Sequence, residues 1–151
     1  MQNTSYFETK VLTASPQRLH LMLIEGAIRF GQQASEALKS GDQVAAAGPL
    51  LRMIDIVAEL LAGVRHSQTE LNQKLAQVYL FLFCRISEAK INSDEKALAE
   101  VLELLEFERQ TWQMACDKLG ATNAAAPRAP LSNAFATGRV NTPKGGFSFQ
   151  A

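Results

Sequence analysis

The chain has 151 residues, a length that fits one domain with its own core and is too short to expect two. Its formal net charge is zero, but residues 1–119 carry twelve basic and fifteen acidic side chains, whereas residues 120–151 carry three basic and no acidic ones. A slightly acidic body argues against nucleic-acid binding, and the lack of an apolar run of about 20 residues or a signal-peptide pattern argues against membrane insertion and predicts a cytosolic protein.

The first part of the chain predicts a short leading segment followed by a helix. Residues 1–14 contain apolar side chains without a sustained helical pattern, so we expect a flexible N-terminal cap segment. A helix is predicted to begin at Ser15-Pro16, because Ser can cap the unpaired amides and Pro at the first position needs no N–H partner. The predicted core stripe comprises Leu19, Met22, Leu23, Gly26, Phe30, Ala34 and Ala37. A second apolar stripe lies about 140–200° away and is predicted to face outward: Leu21, Ile24 and Ile28.

The second predicted helix repeats the same apolar period. Its expected core residues are Leu50, Leu51, Ile54, Val57, Ala58, Leu61 and Val64. Gly48-Pro49 leaves two starting points open. Either the helix begins there with Pro in its first turn, or it begins near Asp42 and contains the proline seven residues in.

The third predicted helix, residues 70–91, is apolar on more of its surface than one packed face requires. Its expected core residues fall within an arc of about 100°: Leu71, Leu75, Val78, Tyr79, Leu82, Ile86 and Ala89. Leu80 points the other way, and Phe81 and Phe83 flank the core stripe on opposite sides. We therefore expect something outside this helix to cover it.

The fourth predicted helix begins at Asp94 and has apolar residues on two sides. One side is expected to face the core: Leu98, Val101, Leu102, Leu105, Trp112, Cys116 and Leu119. Leu104, Phe107 and Met114 lie on another.

From Gly120 onward no periodic face is found, so residues 120–151 are predicted to be a disordered tail whose Phe135, Phe147 and Phe149 could dock on a partner or on the body. Cys84 and Cys116 are predicted to be reduced thiols in or near the core.

Four long helices with short linkers predict an all-α, antiparallel up-down four-helix bundle over residues 15–119. No carboxylate or histidine falls on the predicted core stripes. Di-metal bundles need inward-facing Glu-x-x-His pairs, and neither His20 nor His66 has one. We find no phosphate loop, paired-carboxylate site or nucleophile elbow. The sequence therefore predicts a protein that is not an enzyme and holds no cofactor or metal.

Two functions remain open for a bundle of this kind. The first is histidine phosphotransfer, with His20 placed on the outside of its helix as the phosphoaccepting residue. The second explains the surplus apolar surface. The N-terminal segment, the tail or a second copy of the chain covers that surface, or it forms a groove for an amphipathic helix of another chain. The helical pattern alone does not decide between these.

Specific residues resemble the FliS family, the export chaperones of flagellin. The N-terminal part of the family pattern matches Tyr6-x4-Val11-x-Thr13-Ala14-Ser15-Pro16-x2-Leu19-x-Leu21-Met22-Leu23-x2-Gly26-Ala27-x2-Phe30. The pattern of the third helix matches Val78-Tyr79-x-Phe81-Leu82-x2-Arg85-Ile86-x-Glu88-Ala89-x-Ile91-x2-Asp94, and Trp112 follows near the end of the fourth. The similarity covers about residues 6–117, and three motifs in the right order are specific.

The resemblance implies a cytosolic bundle that binds the disordered C-terminal segment of flagellin, prevents its premature polymerisation and delivers it to the flagellar type III export apparatus. It also implies contact with export gate components when loaded, and an N-terminal segment that lies over part of the groove when empty. A homodimer of the free chain is a further expectation. Together with the outward stripes, this gives the expected partner-binding residues: Tyr6, Val11, Leu21, Ile24, Ile28, Tyr79, Leu80, Phe81, Phe83, Leu104 and Phe107.

Overall fold

The computed structural model describes the backbone of residues 2–125 and the side chains of residues 4–120. This part of the chain forms α1 (Gln2–Thr13), α2 (Pro16–Lys39), α3 (Gln43–Arg65), α4 (Glu70–Asn92) and α5 (Glu95–Ala125). Helix α2 packs against α3 and α5, and α4 packs against the same two helices. Four helices therefore close a ring around one core, which confirms the predicted all-α four-helix bundle. The antiparallel order of the helices stays a prediction.

The helix starts follow from side-chain caps. Ser15 accepts a hydrogen bond from the amide of Arg18 at the start of α2, as its position before a proline predicted. Asp42 accepts from the amide of Ala45 and begins α3, which places Pro49 inside that helix. Of the two starts left open by the sequence, the structure has the earlier one, because the Asp42 cap satisfies the first turn.

The core is built from the inner faces of α2–α5. On α4 the predicted core residues Tyr79, Leu82, Ile86 and Ala89 are buried, whereas Leu71 is exposed. On α3, Met53 and Leu60 are buried and Leu51 is half exposed, because the inward face is rotated from the predicted stripe. Fully buried hydrophobic residues of the bundle include Leu21, Ile24, Leu50, Met53, Val57, Leu60, Tyr79, Leu82, Ile86, Leu98 and Leu105.

The predicted faces of α2 are corrected by the structure. Leu21 and Ile24, expected to face outward, are buried, and Leu23 and Phe30 are only partly so. Small residues mark the true inner face: a Cβ at Gly31 would lie 2.5 Å from Leu102 Cδ2 and 2.9 Å from Met53 Cε. Ala27 and Ala34 lie on the same face and are also buried. Gly26 and Ala34 of the predicted stripe are buried on this face, whereas its large side chains are only partly buried, because α2 approaches its neighbours most closely where its own side chains are small.

Three further expectations differ from the structure. Residues 2–13 form a helix, although most of their described side chains are exposed, so the helix has no buried stripe that a sequence pattern could show. Helix α5 continues to Ala125, beyond the predicted boundary at Gly120. Cys84 is exposed, contrary to its predicted place in or near the core, whereas Cys116 is half-buried against the core as predicted, and both thiols are free.

Residues 126–151, with Phe135, Phe147 and Phe149, lie outside the described residues. Within the described part of the chain, no helix has the length and apolarity needed to cross a membrane.

Candidate partner-binding groove

A largely apolar groove runs along the outer seam between α4 and α5 and reaches the first turn of α2. Its volume is about 500 Å³. Apolar side chains from α4 and α5 form most of its walls, and polar side chains contribute at several points. We call it the α4–α5 groove and define it by Gln17, Leu71, Leu75, Phe107, Glu108, Thr111, Trp112, Ala115, Lys118 and Leu119.

Large apolar side chains in this groove face solvent. Phe107 is 64% exposed, and Leu71 and Leu119 are about two-fifths exposed. Burying apolar surface stabilises a protein by about 25 cal/mol for every Å², and these side chains do not contribute that free energy while they remain in water. The described part of the bundle nevertheless has a core that does not include this surface, so these side chains can serve contacts outside the core.

The seam continues towards the other end of α4. Phe81, 53% exposed, lines a smaller hollow of about 340 Å³ together with Cys84, Arg85, Glu88 and Glu100. Arg85 donates hydrogen bonds to both carboxylates of this hollow, with Nη1 2.8 Å from Glu88 and Nη2 2.8 Å from Glu100. The charged cluster therefore borders the apolar seam at this end.

A buried polar network lies beneath the α4–α5 groove. Tyr79 Oη donates a hydrogen bond to Glu108 Oε2 at 3.4 Å, and Trp112 Nε1 donates to the same oxygen at 3.2 Å. His20 Nε2 is also hydrogen-bonded to Tyr79 Oη, and the imidazole tautomer determines which of the two donates. The His20 ring also lies over Trp112, with ring centroids 4.0 Å apart. Four side chains from α2, α4 and α5 thus hold one another in place.

Burial sets the protonation of this network. It lowers the pKa of His20 to about 3, so the imidazole is neutral at pH 7. Burial also raises the pKa of Glu108, while the hydrogen bonds from Trp112 and Tyr79 act in the opposite direction. The pKa of Tyr79 is raised by burial and by the neighbouring Glu108 charge.

The prediction that His20 lies on the outside of its helix is wrong. The side chain has no exposed surface, and it is enclosed by Tyr79 and Trp112. A phosphoaccepting histidine must be reached by the active site of another domain, so the structure rules His20 out for that role. The expectation that no histidine or carboxylate lies in the core is corrected as well, because His20 and Glu108 are both buried.

The sequence-predicted binding residues fall into three groups. Leu21, Ile24 and Tyr79 are core residues, which corrects their assignment to the contact surface, because they present no surface to a partner. Val11, Ile28, Phe83 and Leu104 are half-buried. The residues that are well exposed are Tyr6, Leu80, Phe81 and Phe107.

Several groove residues could not be recognised as such from the sequence. Leu71 and Leu119 had been assigned to the core, because their position in the helical period matches core residues nearer the middle of each helix. Glu108 carried no signal in the sequence. Leu80 is 47% exposed and lies on the opposite flank of α4, about 100° from Phe81 around the helix axis. It does not line the α4–α5 groove.

The buried histidine predicts a pH-dependent stability. Between pH 6.5 and about 3 the unfolded chain binds a proton at His20 that the folded chain does not. The contribution of His20 to the free energy of unfolding therefore falls as the pH falls. Glu108 acts with the opposite sign, since the folded carboxyl binds its proton at higher pH than the unfolded one. A comparison of the natural chain with His20→Gln isolates the histidine, because Glu108 is common to both.

We expect the stability advantage of the natural chain over His20→Gln to shrink by about 2 kcal/mol between pH 7 and pH 5 in urea unfolding. The substitution itself is controlled by His66→Gln, which replaces an exposed histidine at the end of α3. A constant difference for His20→Gln would contradict the structure, because it would show that His20 takes up its proton at the same pH in the folded and the unfolded chain.

Comparisons with known proteins agree with the resemblance seen in the motifs. A family model described as "Flagellar protein FliS" matches residues 1–119. The Flagellar secretion chaperone FliS of Bacillus subtilis is 30% identical over 112 residues, covering 74% of this chain and 84% of that protein. The protein of the same name from Salmonella typhimurium is 31% identical over 113 residues, with the same coverage of 74% and 84%. That of Escherichia coli is 28% identical over 111 residues, covering 70% and 79%.

Proposed function

We propose that this chain, which belongs to the FliS family of flagellar secretion chaperones, binds the disordered C-terminal segment of flagellin in the α4–α5 groove. By holding this segment it prevents premature polymerisation in the cytosol and delivers the subunit to the flagellar export apparatus. Family membership supports the class of function, and the family is one of chaperones and not of enzymes. The observation that supports the location is the row of exposed apolar side chains along one seam of a bundle whose core is complete.

The energetics of a disordered partner fit such a groove. Ordering a segment on binding costs about 2–5 kcal/mol, which must be offset by burying on the order of 1,000–3,000 Å². Phe107 on α5, together with Leu71 and Phe81 on α4, offers apolar surface along the seam between these helices, as an amphipathic helix would require. A rigid bundle adds no ordering cost of its own.

Helix α1 lies next to the groove and is proposed to act on it. Gln17 and Leu119 line the groove and also line the hollow between the end of α1 and the end of α5, where Lys10 and Thr13 contribute. Tyr6 on α1 is exposed and available for contact with the partner. We propose that residues 1–14 either cover the groove when it is empty or clamp the partner when it is full, and that they are not needed for the bundle core.

The decisive experiment is a titration of the full chain with the C-terminal segment of flagellin from the same organism. We expect a 1:1 complex in size-exclusion chromatography and a saturable signal in calorimetry. The N-terminal segment of the same flagellin serves as the control ligand and should not bind. Absence of a complex with the C-terminal segment would contradict the proposed function.

The same titration separates the two proposed roles of α1. A chain that lacks residues 1–14 binds more tightly if the segment covers the groove, and less tightly if it clamps the partner.

We further propose that export gate components contact the loaded chaperone, and that the free chain pairs with a second copy through its exposed apolar surface.

A further inference from the structure

The α4–α5 groove has a carboxyl group in its floor. Glu108 is only 8% exposed, yet it lines the groove among Leu75, Phe107 and Trp112. A carboxylate in apolar surroundings is unfavourable unless hydrogen bonds compensate its lost hydration. Its position among apolar side chains in the floor of a largely apolar groove therefore needs a reason beyond packing.

The internal hydrogen bonds of Glu108 use one of its two oxygens. Among the described residues, Tyr79 Oη and Trp112 Nε1 both donate to Oε2. A carboxylate has two oxygens and about four lone-pair sites, so the internal network leaves Oε1 with acceptor capacity. The hydrogen bonds within the bundle therefore account for the position of Oε2 and leave the position of Oε1 without a structural reason.

The orientation of the carboxyl group is fixed before any ligand arrives. Tyr79 is itself held by His20, and His20 is stacked on Trp112, so the two donors to Oε2 cannot turn independently. Fixing an acceptor in advance lowers the entropy lost on binding. A groove of this kind rejects a ligand without a donor, because such a ligand would bury the remaining oxygen unpaired.

We infer that Glu108 determines partner specificity by accepting, through Oε1, a hydrogen bond from one side-chain donor on the apolar face of the helical segment that occupies the α4–α5 groove. This inference rests on the proposed function for its ligand, the C-terminal segment of flagellin. The segment then has an apolar face interrupted at one position by Ser, Thr, Asn, Gln, Lys or Arg. The apolar wall supplies contact area, and the carboxyl group fixes the register of the helix along the seam.

The test compares Glu108→Gln with the natural chain in titrations with the flagellin C-terminal segment. Gln keeps the size of the side chain but removes its charge and turns one of its two acceptors into a donor. We expect at least a tenfold loss of affinity. The matched control is Glu59→Gln, at an exposed position on α3, which contributes no residue to the α4–α5 groove; this variant should bind within twofold of the natural chain. Trp112, the only tryptophan of the chain, reports folding and binding by fluorescence.

A second series varies the ligand. Each donor of the segment is replaced in turn by an apolar residue of similar size, such as Ser→Ala, Thr→Val or Lys→Met. One replacement should weaken binding to the natural chain about tenfold and have no further effect on Glu108→Gln. Its identity shows whether the donor is neutral or cationic.

The outcomes separate the inference from the proposed function. If the natural chain binds and a folded Glu108→Gln binds equally well, the carboxyl group serves only Tyr79 and Trp112 and the inference is overturned. If Glu108→Gln does not fold, the ligand series with the natural chain decides. The inference is supported if replacing one donor of the segment lowers the affinity tenfold. It is overturned if no replacement lowers the affinity more than twofold. If the natural chain does not bind the segment at all, the proposed function fails and the inference fails with it.

Discussion

Replacing Leu82 by alanine is expected to lower the free energy of unfolding by about 2–5 kcal/mol. The side chain has no exposed surface and lies in the middle of α4, between the buried Tyr79 and Ile86 on the same face. Truncation removes apolar contacts and leaves a cavity that a bundle packed on several sides cannot fill. Urea unfolding followed by circular dichroism measures the loss.

The matched control is Leu80→Ala, two residues away on the same helix. Leu80 is 47% exposed, so the same chemical change removes less buried surface and opens no closed cavity. We expect it to cost well under half as much as Leu82→Ala. Equal losses for the two variants would mean that α4 is buried on both faces, which contradicts the structure.

Local signals predicted the helices well, because they depend on neighbours in the chain. Ser15, Asp42 and Thr69 each cap an amide three residues ahead, and such a contact can be inferred from the sequence alone. The 70–91 helix was predicted to within one residue of its observed end. Helix α1 was missed because its described side chains are mostly exposed and leave no apolar period.

The polar network could not be inferred from local patterns. His20 and Tyr79 are 59 residues apart in the chain, and Tyr79 and Glu108 are 29 apart. A lone histidine or glutamate in a helix is most often solvated, so the sequence alone predicts that His20 lies on the outside. Only the packing of three helices shows that these side chains satisfy one another.

The groove was predicted in kind but not in position. Periodicity gives the angle of a residue around its helix, and it does not tell whether a neighbouring helix covers that angle at a given height. Leu71 and Leu119 have core-like angles but lie near helix ends, where they remain partly exposed. The predicted outward residues Leu21 and Ile24 failed for the converse reason, since α2 has neighbours on two sides.

Replacing Phe107 by glutamate is expected to weaken binding of the flagellin C-terminal segment at least tenfold while the bundle stays folded. In the free protein the new carboxylate remains in water, because the position is 64% exposed. In the complex it would be buried without a partner, close to the carboxyl group of Glu108, at a cost well above the ~1.4 kcal/mol of a tenfold change. Calorimetric titration and urea unfolding of the same preparation measure both effects.

Two further variants separate a local effect at the groove from a general effect of added charge. Val44→Glu adds the same charge at an exposed site in the first turn of α3, and we expect binding within twofold of the natural chain. Leu80→Glu tests the other flank of α4: a loss there as well would extend the contact surface around this helix. If Phe107→Glu binds as tightly as Val44→Glu, flagellin does not occupy the α4–α5 groove, and the exposed aromatic surface of this seam must serve another partner.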